Sequence, residues 1–96
     1  MSEATFQREV IEELKALFPG IVIVKQDSGY IQGIPDLLLL FGEQWAALEI
    51  KSAGDSRRRP NQEYYVDLMD RMSFAAFIYP ENKKDVLRAL QHTFKP

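Results

Sequence analysis

Cysteine is absent from the chain. This excludes disulfides, thiolate metal sites and cysteine nucleophiles, and it fits a reducing compartment. Histidine is almost absent: His92 stands alone near the end of the last predicted helix, where the helix dipole favours a cation, and it is assigned no catalytic role. Long apolar runs are missing too. Nothing approaches the roughly 20 residues of a membrane span, and the polar start MSEATFQREV is no secretory signal. Excess positive charge is also lacking, with a net charge of -2 and a pI of about 5.3. That argues against a protein that coats a polyanion by bulk charge. It leaves open one whose carboxylates hold a metal, since the ion offsets their charge. Repeats, low-complexity tracts and linkers are not found. The expectation is one soluble cytoplasmic domain over residues 1–96, with no membrane partner.

What is present is 46% hydrophobic residues in clear periodic patterns. Phe6, Val10, Leu14 and Leu17 recur at helical spacing, so a helix is predicted from Ala4 to about Phe18, stopped by Pro19-Gly20. Ile21–Val24 is a β-branched strand. Gln26–Gly33 reads as a loop. Asp36–Phe41 and Trp45–Lys51 read as two strands of a hairpin turning at Gly42-Glu43-Gln44. The unbroken run Leu37–Leu40 predicts a strand covered on both faces. Ala53–Arg59 is a basic loop, and Pro60 opens a helix to about Met72. Phe74–Tyr79 is a fourth strand. Lys83 to about Thr93 is a last helix, with Val86, Leu87, Leu90 and Phe94 inward. The order αβββαβα predicts an α/β fold, a mixed four-stranded sheet flanked by helices.

The densest chemistry lies in GIPDLLLLFGEQWAALEIKS, Gly33 to Ser52. Successive strand residues face opposite ways, so Glu49 and Lys51 share a face while Ile50 enters the core. Asp36, at the start of the neighbouring strand, reaches the same edge. Two carboxylates and an ammonium on one spot can hold a hard divalent cation and a water beside a phosphate. The bland alternatives are a turn aspartate and a solvated Glu49–Lys51 ion pair.

Four glutamates of the first helix compete to join this spot. At ~100° per residue, Glu3 falls within ~60° of Phe6, Val10, Leu14 and Leu17, in the middle of the apolar stripe. Glu12 lies opposite, with Glu9 and Glu13 on the flank. An acid on a buried stripe is costly unless paired or metal-bound, which selects Glu3, with Glu9 the runner-up. Gln62 likewise heads the stripe of Tyr65, Val66, Met69 and Met72 on the second helix, and a polar amide there needs partners. Met69 and Met72 read as core. Arg57, Arg58 and Arg59 form a basic loop beside the spot, suited to clamping phosphate. Trp45 and Tyr30 could stack on bases, with core or interface packing the favoured reading.

With order and motif together, the chain resembles the PD-(D/E)XK nuclease superfamily, whose restriction-endonuclease-like core is αβββαβ. Within it, the chain is similar to small stand-alone VRR-NUC domains. The matching features are Glu3 to Gln7, the Ser28-Gly29 loop, GIPDLL (Gly33 to Leu38), LEIKS (Leu48 to Ser52) and Gln62. The resemblance implies a Mg²⁺-dependent endodeoxyribonuclease in which Asp36, Glu49, Glu3 and the Ile50 carbonyl bind the metal, with Mn²⁺ able to substitute. Lys51 positions the attacking water, and Gln62 completes the catalytic set. Ser28 and the three arginines would contact DNA. One departure is visible. Tyr30-Ile31-Gln32 stands where many relatives carry an arginine, which moves the expected phosphate contact to Arg57–Arg59. The implied substrate is branched DNA, a Holliday junction first, in a bacterial or phage-infected cell. A 96-residue domain has no room for a separate sequence-reading module, so it should read shape and backbone. Two symmetric cuts need two sites, hence a homodimer, formed through the last helix or the edge strand near Tyr79. The alternatives are a nickase or flap nuclease of the same fold and a catalytically inactive DNA-binding module.

Overall fold

The computed structural model describes residues 1–95. It is an α/β fold with three helices on a mixed four-stranded sheet: α1 (Glu3–Leu17), β1 (Val22–Lys25), β2 (Leu37–Phe41), β3 (Gln44–Ile50), α2 (Pro60–Met72), β4 (Phe74–Ile78) and α3 (Lys83–Thr93). The sheet order is β1-β2-β3-β4. β1, β2 and β3 run antiparallel, and β4 joins parallel to β3 through the α2 crossover. Among the described residues no helix is long and apolar enough to cross a membrane.

Local rules account for the element boundaries. Ser2 caps α1, its Oγ accepting from Thr5 N–H at 3.1 Å. Pro60 occupies the first turn of α2, where its missing N–H costs nothing. The β2–β3 hairpin closes on Gly42 and Glu43, with Gly42 at φ +60° as a tight primed turn requires.

The main core lies between the sheet and the α1/α3 layer. Phe6, Val10 and Leu14 meet Leu39, Leu48, Ile50 and Leu90, all essentially buried, and each such side chain stabilises by roughly 1.5–3 kcal/mol. A smaller cluster of Ala47, Val66, Ala75 and Phe77 holds α2 to the opposite face. α2 packs chiefly on β3 and β4.

Three expectations are corrected by the burial pattern. The Leu37–Leu40 run does alternate: Leu37 and Leu39 are fully buried, whereas Leu40 is 38% exposed. Only one face of β2 carries a helix layer. Met72 is 65% exposed and not core, because it lies on the flank of α2 that faces the uncovered half of the sheet. Leu17 is exposed as well; the helix ends there, and Phe18 packs instead between Phe41 and Phe94 at centroid distances of 5.4 and 5.3 Å. The inward set of α3 is as expected, with Val86, Leu87, Leu90 and Phe94 all buried.

Candidate metal centre

β2 begins one residue after Asp36, so pairing with β3 ends at Leu37 opposite Leu48. Past that point the Asp36 side chain replaces the missing strand. Its Oδ2 accepts from Ile50 N–H at 2.8 Å. Within a strand the N–H and C=O of one residue point the same way, so the Ile50 carbonyl also projects toward Asp36. Gln26 pins this corner from β1's end. Its backbone N–H donates to Asp36 O at 2.8 Å, and its side-chain amide donates to Pro35 O at 2.8 Å. Sequence reasoning missed Gln26. Its only signal is a polar residue following a β-branched strand.

Glu49 lies beside Asp36 on the α2 face and is only 3% exposed. Its pKa is pushed up to about 8, first by burial and then by the neighbouring Asp36 carboxylate, with Lys51 pulling the other way. Lys51, 7% exposed, spends its ammonium on two neutral oxygens: Arg57 O and Gln62 Oε1, both at 2.9 Å. Gln62 joins the two charged groups. Its Nε2 donates to Glu49 Oε2 at 2.9 Å, and its Oε1 also accepts from Arg59 N–H at 3.1 Å. The amide orientation follows from chemistry: the ammonium and the backbone N–H are pure donors, and the carboxylate is an acceptor. The polar amide expected to need partners therefore has three.

Asp36, Glu49 and Gln62 open onto a cleft of about 460 Å³ lined also by Ser28, Arg57 and Arg59. One wall is the loop before β2, the other the first turn of α2. They touch at Gly33, whose φ is +89° and where a Cβ would come within 2.4 Å of Asn61 Cβ. Only glycine fits both the conformation and the contact.

The α1 glutamates, Glu3 and its runner-up Glu9, are placed differently from one another. Glu3 is exposed and not on a buried stripe, because burial along α1 begins only at Phe6. It shares a neighbouring cavity of about 240 Å³ with Gln7, Asp36 and Ile50. Among the described residues no three His, Cys, Asp or Glu side chains form a group that could hold a metal by themselves. Glu9, the runner-up, is engaged far from the pair: with Glu13 it holds Lys83, at 3.6 and 2.7 Å. The arginine run also divides. Arg57 and Arg59 line the cleft, whereas Arg58 lies over the Phe77 ring at 4.0 Å. His92 is exposed and remote from the cleft lining.

The donor set suits a hard cation. Two carboxylates and a backbone carbonyl at one corner match the oxygen preference of Mg²⁺, which keeps several waters and needs only one or two carboxylates. The raised pKa of Glu49 marks the same need, since two adjacent carboxylates with little solvent favour either a proton or a cation. Compared with models of known families and with curated proteins, the sequence matches none.

Proposed function

We propose that this chain is a Mg²⁺-dependent endodeoxyribonuclease of the PD-(D/E)XK type, similar to VRR-NUC domains and selective for branched DNA. The observation that carries this reading is the buried Glu49, held between Asp36 and Gln62 at the floor of a cleft whose rim carries two arginines. A solvated ion pair needs none of this. A buried acid beside a second acid, with an amide fixing its orientation, is an arrangement with a cost, and a bound cation offsets that cost.

Asp36, Glu49 and the Ile50 carbonyl would hold Mg²⁺, with Mn²⁺ as a substitute. When bound, the ion offsets charge on the scissile phosphate and acidifies water. The chain's own groups supply the rest. Lys51 presents a fixed positive charge whose position is set by Arg57 O and Gln62. Gln62 keeps Glu49 pointed at the corner. Arg57 and Arg59 are placed to take flanking phosphates, and Ser28 offers a hydroxyl from the opposite wall. The cleft lining offers arginine and serine side chains suited to phosphate contacts, which set position on DNA and carry no sequence information directly. Paired cuts on a four-way junction would use two copies related by a two-fold axis.

The test is strand-resolved cleavage in Mg²⁺ of a labelled four-way junction and a linear duplex of matched sequence, with Glu49→Gln as control. Paired symmetric nicks on the junction alone are expected. Cutting of both substrates would remove the junction preference. Cutting by Glu49→Gln equal to wild type would remove the metal site as drawn. Binding without cutting in every metal tried would favour the inactive DNA-binding module.

A further inference from the structure

Half of one sheet face has no helix on it. Val22 pairs with Leu40 and Val24 with Leu38, and these four side chains share the α2 face, because Ile23, Leu37 and Leu39 fill the opposite one. α2 sits over β3 and β4. Val22 is therefore 53% exposed, Val24 40% and Leu40 38%. Scattered exposed apolar residues need no explanation, but a contiguous block of them does.

The open floor has an apolar wall. Two contacts fix the rotation of α2 about its axis: Asn61 lies against Gly33 on the β2 side, and Asp70 accepts from Ala75 N–H on the β4 side. At ~100° per residue, Tyr65, Leu68, Met69 and Met72 fall on Asn61's side, over the open floor. Glu63 and Asp67 fall on the other. Past Val24 the floor continues into a shallow groove beneath Tyr30, Ile31 and Ile34, where Tyr30 is 86% exposed.

We propose that this uncovered β1–β2 face is the interface of a two-fold homodimer, the apolar flank of α2 in each copy seated on the sheet floor of the other. Three features choose a second copy as occupant. The surface has a ridge beside a trough, so a two-fold axis brings each ridge to the other's trough with one surface serving both partners. The floor and the facing α2 flank offer apolar side chains, with aromatic residues and methionine prominent, as in the core of a homodimer interface and unlike a phosphate-binding surface. The size also fits. At ~150–250 Å² per aromatic residue, and less per aliphatic one, the exposed fractions amount to on the order of 700 Å², near the roughly 800 Å² per partner of a standard interface. This places the interface away from both α3 and the Tyr79 edge. Ile34 borders both the groove and the metal cleft, so dimerisation sets two clefts beside one axis. The surface stands on packing alone; the use of two clefts for paired cuts rests on the nuclease reading above.

Sedimentation velocity over a concentration series tests the proposal, with Leu40→Asp and Val22→Lys as interface variants and Lys84→Glu on α3 as control. Both interface positions are already partly in solvent, and circular dichroism melts will check that the variants stay folded. The wild type and Lys84→Glu should dimerise, and the interface variants should dissociate at least about tenfold more readily. Because the chain has no cysteine, single thiols give a second readout: a short bismaleimide should join Val22→Cys copies and not Arg88→Cys copies. A wild type that is monomeric throughout, a folded Leu40→Asp that still dimerises, or preferential joining of Arg88→Cys copies would each overturn the proposal. Failure of the nuclease reading looks different: Glu49→Gln and the wild type would then be equally inert on DNA while both remain dimers.

Discussion

Gln62 donates its side-chain amide to the Glu49 carboxylate at 2.9 Å while its carbonyl oxygen takes the Lys51 ammonium at the same distance. One neutral side chain thus bridges a carboxyl group and an ammonium. Gln62→Ala is expected to reduce Mg²⁺ affinity or cleavage by ~10–100-fold, the usual effect of losing a group that orients a metal ligand. Calorimetric Mg²⁺ titration of the folded variant alongside a cleavage assay checks it. Wild-type values in both would reduce Gln62 to a helix cap.

Asp36, Glu49, Lys51 and Gln62 were legible in the sequence because strand alternation and helix phase decide which way each points. Reach was not legible. A helical wheel assigns Glu3 a direction but cannot say that burial along α1 begins only at Phe6. Nor could the four consecutive leucines of β2 reveal which face lacks a helix. Three helices on a two-faced, four-stranded sheet leave a half-face bare, and which half depends on where α2 lands after its crossover. The split of the arginine run is of the same kind, since Phe77, the partner of Arg58, comes from β4.

pH should act on the metal-free fold through Glu49. Its pKa rises from 4.5 to about 8 on folding, so between these values the folded state binds the proton more tightly than the unfolded chain. The stability this contributes is complete below pH 4.5 and is lost as pH rises through about 8. Held at Asp36 and Glu49 as proposed, Mg²⁺ would compete with that proton. Melting temperatures with and without Mg²⁺ from pH 5.5 to 8.5 should diverge, the metal-induced increase growing with pH. An increase independent of pH would exclude Glu49 as a ligand.

Gly33→Ala would place a methyl 2.4 Å from Asn61 Cβ at a φ of +89°. The strain should cost roughly 1–3 kcal/mol, read by urea denaturation. Because Gly33 joins the two walls of the cleft, DNA cleavage should fall further than the stability loss explains. An unchanged stability would mean that the loop before β2 does not rest on α2.

Lys83 ties α3 to α1 through Glu9 and Glu13, and hydrogen bonding to Glu13 raises its pKa. Both glutamates are about 40% exposed, so solvent screens the pair, and Lys83→Met should cost only about 0.5–1 kcal/mol. Cleavage should persist in this variant and in Glu9→Gln. Glu3→Gln, on the rim beside Asp36 and Ile50, should lower cleavage. The reverse order of the two glutamate variants would move the α1 contribution to Glu9.

The three adjacent arginines should separate by experiment. Arg57 and Arg59 line the cleft and Arg58 stacks on Phe77. Each phosphate contact removed lowers the slope of log K against log salt by about 0.9. Arg57→Ala and Arg59→Ala should each flatten that slope in fluorescence-anisotropy titrations of a DNA junction, with little change in melting temperature. Arg58→Ala should do the opposite: it uncovers the Phe77 ring and loses a cation–π contact worth roughly 0.5–1 kcal/mol at an exposed site, so the melting temperature falls while the salt slope holds. Equal slopes for all three variants and the wild type would return the loop to a solvated charge run. A flattened slope for Arg58→Ala would mean that its guanidinium leaves Phe77 when DNA arrives.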